Sequence, residues 1–80
     1  MDKNKKVQIY TSPTCHYCHM AKDFFASHGV AYEEFDVLTN IDKRQEMIEK
    51  SGQMGVPVIV VDNDLMVGFD ERHLKTLLGL

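Results

Sequence analysis

An α/β domain with the element order β-α-β-α-β-β-α is what the sequence predicts, and three observations predict it. Apolar residues alternate with polar ones from Val7 through Tyr10, then recur at helical spacing at Ala21, Phe24, Phe25 and His28. Val56 to Val61 is almost wholly apolar and β-branched, the pattern of a strand buried on both faces. Asp62-Asn63-Asp64 follows that run as a hairpin turn signal.

The elements follow in order. The strand around Val7 and Ile9 breaks at Ser12-Pro13-Thr14. A helix is expected from near Cys15, with Thr14 as its N-cap and Gly29 at its left-handed end. Tyr32, Phe35 and Val37 mark a second strand within Ala31 to Val37. Asn40 or Asp42 opens a second helix, which holds Ile41, Met47 and Ile48 and stops at Gly52. Leu65 to Val67 returns after the hairpin turn, and Gly68-Phe69-Asp70 leads into a last helix with Leu74, Leu77 and Leu78 on one face. The first β-α-β unit is expected to be parallel with a right-handed crossover, the hairpin antiparallel, and helices are expected on both faces of the sheet.

Eighty residues suit one domain spanning 1–80. Hydrophobic content of 44% and charged content of 26% fit a soluble globular protein. A formal net charge of −3 argues against nucleic acid as a partner, because phosphate binding needs a basic face. Lys3, Lys5 and Lys6 read as a solvated N-terminal arm. No segment has the length of a membrane span or the form of a signal peptide, so no membrane association and a cytoplasmic location are expected. A stable structural disulfide is not expected in that compartment.

Cys15-His16-Tyr17-Cys18 stands where a strand gives way to a helix. A helix N-terminus offers unpaired N–H groups and partial positive charge, and both favour a thiolate, the nucleophilic form. Cys15, at the tip, is the expected attacking group. Cys18, one turn inside, is the expected resolver of a mixed disulfide on Cys15. A competing class is a carrier module. Cys15 to His19 also matches the C-x-x-C-H haem-attachment motif, with Met20, Met47, Met54 and Met66 formally available as ligands. The buried-strand run argues against that mostly helical alternative. A closed zinc site needs four ligands, and no second C-x-x-C exists, so no metal is assigned. Pro57, withholding an N–H at the start of an apolar strand, is read as following a cis Val56–Pro57 bond.

Taken together, Ile9-Tyr10-Thr11, Thr14 to Cys18, Val56-Pro57 and Gly68-Phe69-Asp70 make the chain resemble the dithiol glutaredoxins across nearly its whole length. The resemblance implies a thioredoxin-like fold of glutaredoxin type, with a four-stranded mixed sheet. It implies a cis proline facing the dithiol and a substrate strand paired with the backbone of Val56. It departs from the family where His16 replaces the usual Pro, where Ser12 and Gln53 replace basic residues that hold glutathione carboxylates, and where Gly55 replaces Thr. Val67-Gly68 stands in place of a Gly-Gly pair, while Asp70 and Glu71 match an acidic pair that engages the glutathione amino group. Val67-Gly68-Phe69 is also close to the Ser-Gly-Phe of the glutaredoxin-like redoxins that serve ribonucleotide reductase and draw on thioredoxin reductase.

The expected activity is reduction of protein disulfides, or of glutathione mixed disulfides, by a monomer with no tightly bound cofactor. Glutathione as co-substrate and a thioredoxin-reductase-type flavoenzyme both remain open as reductant. Tyr17, Val56 and Pro57 are expected to shape the substrate groove, and Gly68 with Asp70 to border it. His16 is expected to tune the dithiol, since a protonated imidazole beside Cys15 stabilises the thiolate and makes the pair a stronger oxidant.

Overall fold

The computed structural model describes residues 6–80; Lys3 and Lys5 of the N-terminal basic cluster lie outside the described residues. The elements are β1 (Val7–Thr11), α1 (His16–Ser27), β2 (Glu33–Asp36), α2 (Ile41–Ser51), β3 (Val58–Val61), β4 (Asp64–Val67) and α3 (Glu71–Leu78). The sheet order is β2-β1-β3-β4. β1 runs parallel to β2, with Ile9 opposite Glu34, and antiparallel to β3, with Tyr10 opposite Val58. β3 and β4 form the expected antiparallel hairpin, closed by a two-residue turn in which Asp62 takes a φ of 54°. Asp62 also ties that turn to the start of β1: its Oδ1 accepts the Lys6 N–H at 2.8 Å.

Period-two alternation divides the core into two layers. Val7, Ile9, Ile59, Val61 and Met66 face α1 and α3, where they meet Ala21, Phe24, Phe25, Leu74 and Leu78. Tyr10, Val58 and Val60 face the other way and pack with Met47 of α2 and with Val37. All four residues of β3 are therefore buried, which explains its unbroken apolar run. On the second face the Tyr10 hydroxyl reaches the Glu46 carboxylate, with Lys50 Nζ 3.3 Å from the same hydroxyl. That network fastens α2 to the middle of the sheet.

Several expected boundaries move. Cys15, not Thr14, caps α1: Cys15 is extended at φ −84°, ψ 111°, and its sulfur accepts the Cys18 N–H. Thr14 lies in the preceding turn, which the Cys15 N–H closes on the Ser12 carbonyl at 3.2 Å. Pro13 occupies the second position of that turn, where its fixed φ is favoured. His28 leaves the buried stripe of α1 and becomes its C-cap, exposed, with its ring stacked on Phe24 at 4.2 Å between centroids. Cys18 takes the stripe's fourth buried place. Gly29 is left-handed at φ 65°, and the Val30 N–H returns to the Phe25 carbonyl at 2.9 Å, as in a Schellman end. β2 is shorter than the expected strand, and β3 begins at Val58 because Val56 and Pro57 sit before the ladder. Asn40 caps α2 through the Lys43 N–H, and Asp70 caps α3 through the His73 N–H. Ile41, one of the apolar residues expected within α2, is 76% exposed, and the helix is buried at Met47.

Candidate active site

Sheet register assembles one end of the molecule. Tyr10, Val58 and Val67 lie in a row across β1, β3 and β4. One residue further along the same direction come Thr11, Pro57 and Gly68. The Gly68 N–H donates to the Pro57 carbonyl at 2.8 Å, which fixes that next row. Gly68 is left-handed at φ 86°, a conformation that favours glycine and lets the chain leave β4 for Asp70 and α3. The Val56–Pro57 bond is cis, as the sequence reading expects. From Thr11 the chain crosses the Ser12–Cys15 turn and enters α1, so the cysteine motif starts from the same edge.

Both cysteines are free thiols. Cys15 is partly exposed and Cys18 is fully buried. The Cys18 N–H donates to Cys15 Sγ at 3.1 Å. This is the N-cap contact of α1, with sulfur in place of the usual oxygen, and it directs one of the helix's unpaired donors onto the outer sulfur.

Cys18 experiences the opposite environment. Burial pushes its thiol up to about 12, and its contact with the Cys15 sulfur adds to the rise. The Ser12 backbone and the Lys22 charge pull the other way without overcoming it. Lys22 lies one helical turn beyond Cys18. It pairs with Glu34 of β2 at 3.0 Å, and the same Glu34 oxygen accepts from the buried Thr11 hydroxyl at 2.9 Å. Burial raises the Glu34 carboxyl, but Lys22 and Thr11 outweigh it and hold the group below its ordinary range. Sequence reading missed this trio. The available signal was the i,i+4 spacing of Cys18 and Lys22 on one helix, but Glu34 enters only through the β1–β2 pairing.

The asymmetry sets an expected labelling pattern. With burial holding its thiol protonated, Cys18 offers little thiolate at pH 8. Iodoacetamide is expected to alkylate Cys15 first, with Cys18 labelled more than about a hundredfold more slowly until the protein is unfolded in guanidinium. Peptide mapping of the limiting-reagent adduct reads this out, and preferential labelling of Cys18 would reverse the two roles.

The remaining expected site residues are placed as follows. Tyr17 is 58% exposed and its ring meets the His16 ring edge-on at 5.9 Å between centroids. His16 is exposed on the first turn of α1. Val56 is half-buried and Pro57 is buried. Asp70 is exposed, and its carboxylate is engaged in capping α3. Among the described residues, no three His, Cys, Asp or Glu side chains gather as a metal-binding group.

Comparison with known proteins gives consistent findings. The glutaredoxin family profile matches residues 7–66. Glutaredoxin 3 of Escherichia coli strain K12 is 45% identical over 67 residues, covering 84% of this chain and 81% of that protein. The glutaredoxin-like protein NrdH of Lactococcus lactis is 34% identical over 74 residues, covering 89% of this chain and 97% of that one. Among solved structures, the thioredoxin-like protein BC3987 superposes with a TM-score of 0.85 at 33% identity, over 90% of this chain and 99% of that one.

Proposed function

Because the chain belongs to the glutaredoxin family of thiol–disulfide oxidoreductases, we propose that it works as a dithiol enzyme through Cys15 and Cys18. The Cys15 thiolate attacks one sulfur of a substrate disulfide. The substrate S–S bond breaks, and the departing thiolate takes up a proton. Cys18 then gives up its proton and attacks Cys15 Sγ, releasing the second substrate thiol. Two electrons pass to the substrate, and a Cys15–Cys18 disulfide remains for the reductant to open.

The Cys18 N–H on Cys15 Sγ is the observation that supports this reading, because it holds the accessible sulfur at the N-cap of α1, directly over the inner cysteine. Burial of Cys18 serves the same sequence of events. It keeps the resolving thiol protonated until the mixed disulfide has formed, so Cys15 is the sulfur that meets substrate first. Tyr17, Val56 and Pro57 shape the groove beside the dithiol, Gly68 and Asp70 border it, and His16 tunes it. Substrates are disulfides in proteins or mixed disulfides with glutathione, and no tightly bound cofactor takes part. The enzyme acts as a monomer of one domain spanning 1–80, and its reductant is glutathione or a thioredoxin-reductase-type flavoenzyme.

Insulin reduction tests the proposal. One arm is coupled to glutathione with glutathione reductase, the other to thioredoxin reductase. Turnover in at least one arm is expected, and the faster arm identifies the reductant. Absence of turnover in both, together with a stoichiometric metal or a Soret band in the purified protein, would replace this reading with a carrier module.

A further inference from the structure

We propose that Gln53 is a positioning residue: its side-chain amide holds the Gly55-Val56-Pro57 segment in place, so that a polypeptide disulfide is aligned for Cys15. The inference rests on the dithiol reading above and adds to it a residue outside the cysteine motif. Residues 53–57 belong to no helix or strand, yet on the dithiol reading they form one wall of the substrate groove and end at the Pro57 carbonyl held by Gly68. Something other than a ladder must hold them.

The hydrogen bonds show what does. At the end of α2, Gly52 turns left-handed at φ 74°. The Ser51 hydroxyl lies 2.7 Å from the Met47 carbonyl and 3.0 Å from the Gln53 carbonyl, one proton shared by two acceptors. The Gln53 N–H points back to the same hydroxyl at 3.4 Å. The Gln53 backbone is thus moored to the last turn of the helix. Its side chain then reaches forward. The Gly55 N–H donates to Gln53 Oε1 at 2.6 Å, and Gln53 Nε2 donates to the Gly55 carbonyl at 3.0 Å. One planar amide engages both polar groups of Gly55, which fixes the peptide planes on either side of it. Two residues later the Pro57 carbonyl is held by the Gly68 N–H. The wall is pinned by Gln53 at one end and by β4 at the other, with Val56 between.

Gly55 itself supports the assignment. Its backbone is not among the left-handed glycines, so no conformational demand explains the residue. A Cβ at this position would stand 2.8 Å from Gln53 Oε1, closer than real contacts allow. The atom it would strike belongs to a flexible side chain, so an alanine would displace the amide and leave the backbone where it is. Gln53 and Gly55 therefore form a matched pair, in which the absent side chain makes room for the clamp.

The test measures steady-state kinetics with two substrates: insulin, whose disulfides lie in polypeptide, and bis(2-hydroxyethyl) disulfide, which has no backbone to align. In Gln53→Ala the KM for insulin is expected to rise about five- to tenfold, the scale of one or two net hydrogen bonds, with kcat unchanged. The KM for the small disulfide is expected to stay the same. Gly55→Ala should reproduce this pattern, and the double variant should be no worse than either single one, because both remove the same contact. An unchanged insulin KM in Gln53→Ala would overturn the inference. So would an equal rise for both substrates, or additive effects in the double variant. Failure of the underlying dithiol reading has a different signature, in which Cys15→Ser retains turnover of both substrates.

Discussion

Replacing Cys15 by serine is expected to abolish disulfide exchange, lowering turnover by on the order of a thousandfold or more, since no other exposed thiol is present to attack. The contact with the Cys18 N–H survives in form, because a hydroxyl accepts it as readily as sulfur does. The fold is therefore expected to remain, and the loss to be one of nucleophile alone. Cys18→Ser gives a different defect. The first attack proceeds and the second cannot, so a mixed disulfide accumulates on Cys15 and is visible as an intact-mass adduct after incubation with a disulfide substrate. Comparing the two variants by mass spectrometry and by insulin turnover separates attack from resolution. An adduct that forms on Cys15→Ser but not on Cys18→Ser would mean that the inner sulfur is the nucleophile, against the burial that pushes its thiol up to about 12.

The second large effect is on stability. Phe25 is fully buried between α1 and the sheet, with the Tyr32 ring at 4.9 Å and the Phe24 ring at 6.1 Å between centroids. Phe25→Ala removes its apolar surface and leaves a cavity that the surrounding strands cannot close, at a cost of about 3–5 kcal/mol. A chain of 80 residues has a total stability of roughly 5–10 kcal/mol, so the variant keeps only a fraction of it. Its thermal midpoint is expected to fall by about 15 °C or more, given about 4–8 °C per kcal/mol for a domain this size. Ile41→Ala is the control. That side chain is 76% exposed, and the change is expected to stay within about 0.5 kcal/mol. Urea unfolding followed by circular dichroism measures both. Comparable losses in the two variants would mean that α2 buries Ile41 after all.

That contrast marks the limit of periodicity. Phe25 and Ile41 are both apolar residues of expected helices, and hydrophobicity by itself treats them alike. The stripe of α1 faces Ile9 and Ile59 across a full layer. α2 is buried at Met47, while Ile41, at its first position, faces solvent. How far a helix lies over its sheet depends on strand order and loop length, neither of which has a local signature.

What the sequence by itself determined is what local chemistry encodes. Turn residues and hydrophobic periods carry the element order, so all seven elements form where they are expected within a few residues. The thiols at the start of α1 are legible because a strand, a Ser-Pro-Thr break and a helical stripe bracket them in sequence. The cap itself is a local matter that composition did not reveal: the turn from Ser12 closes on the Cys15 N–H, so Cys15 and not Thr14 leaves its side chain over the helix end. Only the tertiary structure decided the rest. It buried Cys18, brought Glu34 to Lys22 through the β1–β2 register, and laid Pro57 beside Gly68 through the pairing of β3 with β4. The physical reason is common to these last features. Each depends on contacts between residues well separated along the chain, and such contacts are fixed by how layers pack and strands register, information that no short window of sequence contains.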